Sequence, residues 1–142
     1  MYENVLVPTD GSDSAELAIE RGLELAETYG ATVHALYVVE PVYTAEYSGE
    51  RIINALEDEG KRATAAIAAQ GDERCVPVET EVRRGPPHRE ILDYADVRDV
   101  DLVVMGTHGR TSVERYLLGS VTEKVVRLSD VPVLTVRTTD EQ

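Results

Sequence analysis

Residues 101–137 read DLVVMGTHGRTSVERYLLGSVTEKVVRLSDVPVLTVR. An apolar run, DLVVM, leads into a segment holding Gly106, Gly109 and the pair Gly119-Ser120. SVTEKVVRL then has helical spacing, and VPVLTVR is a second β-rich run. Strand, helix and strand in this order form a parallel crossover unit. Glycine in ordered structure costs conformational entropy, so glycines concentrated between a strand and a helix need a reason. Turn geometry is one. Close approach of the backbone to a ligand is the other.

The same alternation runs upstream. NVLVPTD is a short buried strand, and Ser12 to Tyr29 a helix with Ala15, Ala18, Gly22 and Ala26 along one face and Gly30 as its stop. TVHALYVV is a strand. A loop with Pro41 leads to a long helix ending near Gly71, with Ile53, Leu56, Ala63 and Ile67 as its expected core positions. CVPVETEV is a third strand, RRGPP a turn, and HREILDYADV a short helix. Five strands joined by helical connections predict an α/β fold, a parallel sheet covered on both faces, in a single domain spanning 1–142. In such sheets ligands sit at the carboxyl ends of the strands where strand order reverses. Two loops there carry unusual residues: Pro8-Thr9-Asp10-Gly11 after the first strand and the glycine segment after the fourth.

Asp and Glu total 27 against 14 Lys and Arg, a net charge of −13. So acidic a surface repels nucleic acid and anionic membranes, so neither is expected as a partner. It resembles surfaces that work in concentrated salt, where screening relieves self-repulsion. Thermal melts are therefore expected to rise steadily from dilute buffer to molar KCl, and a flat or falling Tm would refute a salt-adapted surface. From Gly106 to Arg137, five basic residues against three acidic ones give +2, leaving −15 on the rest of the chain. A small anionic ligand explains that contrast, as does chance. No apolar run approaches membrane-spanning length, the start leaves no room for a secretory signal, and the single cysteine, Cys75, has no partner; a cytoplasmic protein is expected.

The motifs GxxxxGK[ST], GxGxxG and GxSxG are absent, and His34, His88 and His108 lack metal-ligand spacing, so no metal site is expected from protein ligands. Ser120 and Glu123 match the S-x-x-E capping box, which predicts that Ser120 caps the last helix. A helix start presents N–H groups and a partial positive charge that suit phosphate oxygens.

Gly106-x-x-Gly109, nine residues, then Gly119-Ser120 resembles the ATP-binding signature of the universal stress protein family. The likeness extends to VLVPTDGSDSAELA, YVVE, DLVVMGTHGR and LLGSVTEKVVRLSDVPVLTVR, and covers the whole chain. It implies a Rossmann-like doubly wound sheet of strand order 3-2-1-4-5, with the first and fourth strands adjacent. It also implies an ATP site. Pro8, Thr9 and Asp10 would line its adenosine end, and Val38 would meet adenine. Met105 and Gly106 would border sugar and phosphates, with His108, Gly109 and Arg110 as the loop over the phosphates. Gly119, Ser120, Val121 and Thr122 would hold the phosphate tail, and Mg²⁺ would accompany the nucleotide.

Each position has a plainer alternative. Asp10 serves equally to shape its turn or cap a helix, His108 and Arg110 as loop residues, and Val38 and Met105 as core. Three functions remain open: an ATP-binding regulatory protein acting through its conformation or through contacts with an unidentified protein partner, a slow Mg²⁺-dependent ATP hydrolase, or a nucleotide-free dimeric module. No committed catalytic base stands out, which favours binding over turnover. The resemblance also implies a homodimer through the fifth strand, 131–137, whose apolar residues would otherwise lie on an open edge.

Overall fold

The computed structural model describes residues 2–40, 50–107 and 119–137, and among them five strands alternate with four helices. β1 (Asn4–Thr9), α1 (Asp13–Tyr29) and β2 (Thr32–Val39) are followed by α2 (Glu50–Glu73), β3 (Val78–Arg84) and α3 (Pro87–Val97). β4 (Leu102–Gly106), α4 (Ser120–Leu128) and β5 (Val133–Val136) complete the order. All the strand pairs are parallel and the sheet order is β3-β2-β1-β4-β5, as expected.

Alternation along each strand divides the core in two. Val5 and Val7, Val33 and Ala35, and Leu102 and Val104 face α1 and α2, where Ala18, Leu23, Ala26 and Ile67 meet them. Leu6, Leu36, Val103 and Met105 face the other way, against Ile91 and Tyr94 of α3 and Val125 of α4. Burial on both faces is why these strands read as near-continuous apolar runs. α1 lies where its small-residue face predicts: Ser12 is its N-cap, accepting the Ala15 N–H at 3.3 Å, and Gly30 ends it in the left-handed region at φ 69°.

α2 corrects the expected core. Its buried residues are Gly60, Thr64, Ile67 and Gly71, whereas Ile53, Leu56 and Ala63 are only half-buried. Small residues win because the helix lies close to the sheet: a Cβ on Gly60 would stand 2.6 Å from Cδ1 of the buried Tyr37 ring. Gly60→Val should therefore cost about 3 kcal/mol and lower Tm by about 10 °C, measured by thermal melting. An unchanged Tm would show that the ring yields freely.

β3 also starts later than expected. Cys75 adopts φ 59° in the turn after α2, so the strand begins at Val78 rather than Cys75, and Arg83 and Arg84 belong to it rather than to the following turn. No described helix is long and apolar enough to cross a membrane.

Candidate functional site

β1 and β4 are neighbours, and strand order reverses between them. Their paired register covers Val5–Leu102 and Leu6–Val103 and stops short of Thr9 and Gly106. The carboxyl ends of the two strands thus flank the position where an open α/β sheet takes its ligand.

Local hydrogen bonds shape the turn after β1. Thr9 is buried, and its Oγ1 accepts the Gly11 N–H at 3.2 Å. Oδ1 of Asp10 accepts the Ser12 N–H at 2.9 Å. Gly11 stands at φ 82°, a conformation that a residue with a side chain rarely adopts. Ser12, not Asp10, caps α1, so Asp10 has the turn-shaping role that was one of its sequence alternatives.

On the other side, α4 begins against the end of β4. Gly119 donates its N–H to the Thr107 carbonyl at 2.7 Å, and the Thr122 hydroxyl donates to the Gly106 carbonyl at 2.8 Å. These bonds correct one expectation. The N-cap is Gly119 (φ −62°, ψ 160°), so Ser120 is the first helical residue and the capping box does not form. The Gly119 carbonyl already accepts the Glu123 N–H at 2.9 Å, and the Glu123 carboxylate turns to Arg127 Nε at 2.9 Å. That hydrogen bond holds the Glu123 carboxyl below its ordinary value. Thr122 is buried and its hydroxyl is engaged by the strand, which leaves its backbone N–H at the helix start.

No side chain caps α4 among the described residues. Helical geometry leaves the N–H groups of Ser120, Val121 and Thr122 without intrahelical acceptors. They stand at the positive end of the helix, beside the end of β4. Such a terminus accepts phosphate or carboxylate oxygens.

The apolar candidates gather on one face. Met105 is buried in the core cluster that includes Val125, and Val38 and Val121 pack against the same cluster from β2 and α4. Met105 is core, as its plainer alternative had it; Val38 is half-buried, and Pro8 is buried in β1. His108, Gly109 and Arg110 lie outside the described residues. The sequence reading missed Thr107, whose carbonyl anchors Gly119, because a backbone acceptor leaves no trace in residue type. No group of three or more metal-ligating side chains occurs among the described residues.

The universal stress protein family model matches residues 1–137. Universal stress protein MJ0531 of Methanocaldococcus jannaschii is 38% identical over 141 residues, covering 96% of this chain and 83% of its own. YxiE of Bacillus subtilis, also a universal stress protein, is 32% identical and is covered along 100% of its length, with 96% of this chain. The solved structure of MJ0577 superposes with a TM-score of 0.89 at 32% identity, covering 99% of each chain. A universal stress protein solved in complex with cAMP gives 0.71 at 29% identity over 97% of this chain and 99% of that one. Sequence along nearly the whole chain and the order of the strands agree: this chain belongs to the universal stress protein family.

Proposed function

We propose that this protein binds ATP between the carboxyl ends of β1 and β4 and acts as a nucleotide-dependent regulatory protein. One observation carries the reading. The N-terminus of α4, uncapped by any described side chain, is tied by Gly119 and Thr122 to the end of β4 at the switch point of the sheet. The relative in complex with cAMP supports an adenine nucleotide as the ligand class. Pro8, Thr9, Asp10 and Val38 stand for the adenosine end, and Met105 and Gly106 for the sugar and phosphates. His108, Gly109 and Arg110 stand for the loop over the phosphates, with Gly119, Ser120, Val121 and Thr122 for the phosphate tail. Mg²⁺ is assigned to the phosphates. ATP brings the phosphates that the helix terminus suits, and the protein supplies N–H groups to position them.

Turnover demands a group that positions water. At the described ends of β1 and β4 the titratable side chain is Asp10, and its Oδ1 holds the turn. Binding without efficient hydrolysis is the reading we propose. The protein, purified without added nucleotide and denatured, should release ATP or ADP, or else bind added ATP in titration. A time course with ATP and Mg²⁺ should show no appreciable turnover. Failure to bind any adenine nucleotide would overturn the proposal, and rapid ADP production would make the protein an enzyme.

We further propose a homodimer through β5. The two sheet edges differ in character. β3 carries Glu79, Glu81 and Arg83 on one face, the charged pattern that discourages pairing, while on β5 the side chain of Leu134 is exposed.

A further inference from the structure

Beneath α3, away from the carboxyl ends of the strands, lies a titratable side chain that nucleotide binding does not use. His34 of β2 is 2% exposed. Its Nδ1 stands 2.7 Å from the Tyr94 hydroxyl of α3 and its Nε2 2.9 Å from Oδ1 of Asn4 in β1. The Asn4 amide donates its Nδ2–H to the Asp99 carbonyl at 3.4 Å, which turns Oδ1 towards the imidazole. Nε2 must therefore carry the proton, and Nδ1 accepts from the Tyr94 hydroxyl. The neutral ring is thereby bonded at both nitrogens and joins two strands to a helix.

We propose that the His34–Tyr94–Asn4 cluster is an acid-sensitive latch that holds α3 against β1 and β2. Protonation would place a hydrogen on Nδ1, force the Tyr94 hydroxyl to turn from donor to acceptor, and leave a cation in a site shut off from water. The surrounding charges divide. From β3, Glu79 favours the imidazolium, while Arg98 after α3 opposes it. Arg98 is paired with Glu79 and lies 3.8 Å from Glu81, and Arg83 also pairs with Glu81, so neither acid is given wholly to the histidine. Both guanidiniums lie over the Tyr94 ring, at 5.0 and 5.3 Å from its centre. Asp101 turns elsewhere, accepting the N–H groups of Glu3 and Asn4. Burial, the leading cause, holds His34 below its ordinary value of 6.5. The opened state thus takes up the proton first. The latch is closed above that value and loosens as pH falls below it, until the folded protein itself protonates.

The test is hydrogen exchange on the full chain from about pH 7.5 to about 5.5, corrected for intrinsic rates, beside an NMR titration of the imidazoles. Protection of residues 87–97 should fall by up to about tenfold per pH unit below 6.5, while that of α1 changes less. His34→Gln, which takes no proton, should remove the difference between the helices. If the variant does not fold, the parent decides. A His34 titration at or above 6.5, or α3 protection that tracks α1 throughout, would overturn the latch.

Discussion

Gly119→Val is expected to raise the Kd for ATP by at least about 100-fold in a protein that still folds. Gly119 has φ −62° and ψ 160°, a conformation open to any residue, so valine meets no backbone strain there. Glycine is replaced at an N-cap position, where valine is a poor residue, so some stability is lost, about 1 kcal/mol. The larger effect falls on the ligand. A branched side chain would stand beside the N–H groups of Ser120 and Val121, in the space proposed for phosphate oxygens. Each hydrogen bond to a charged oxygen contributes about 1.5–3 kcal/mol, so losing two gives at least the stated factor. Circular dichroism with nucleotide titration separates folding from binding. If the variant folds and binds ATP like the parent, Gly119 serves only the helix start and the phosphates lie elsewhere.

Thr135→Pro is expected to convert the proposed dimer into a monomer. The carbonyls of Pro132 and Val136 accept N–H groups from Val103 of β4 and from Thr107 just after it, at 3.0 and 3.1 Å. Backbone polar groups alternate sides along a strand, so those of Leu134 also point to β4, while those of Val133 and Thr135 point away from the sheet. Proline at 135 removes an outward donor that a second β5 would use and leaves the ladder to β4 intact. At Leu134 the same substitution would strike the inner ladder and weaken the fold itself. Light scattering at micromolar concentration in high salt should show the parent as two chains and Thr135→Pro as one. A monomeric parent, or a variant that stays dimeric, would rule out assembly through this edge.

The alternation of apolar strands with amphipathic helices was legible from sequence because each element follows its own local period. So were the Ser12 and Gly30 ends of α1, which depend on single residue types. The start of α4 was not. S-x-x-E is a local pattern, but the helix begins where Gly119 and Thr122 are held by the carbonyls of Thr107 and Gly106 at the end of β4, and those contacts come from residues 12 and 16 positions away in the chain. The stripe of α2 escaped for a similar reason. Ile53 and Leu56 are more apolar than Gly60 and Gly71, yet the distance to Tyr37 and Val78 selects the residues without side chains.

By itself the sequence determined the α/β class, the helix and strand order, and the two loops that carry the candidate site. Hydrophobic periodicity and glycine placement are written residue by residue and need no partner to be read. Only the tertiary structure decided which hydroxyls are already engaged, as with Thr9 and Thr122, and which polar residue is buried, as with His34. Those properties belong to pairs of residues brought together from separate elements, and the free energy of a buried hydrogen bond depends on the partner that arrives.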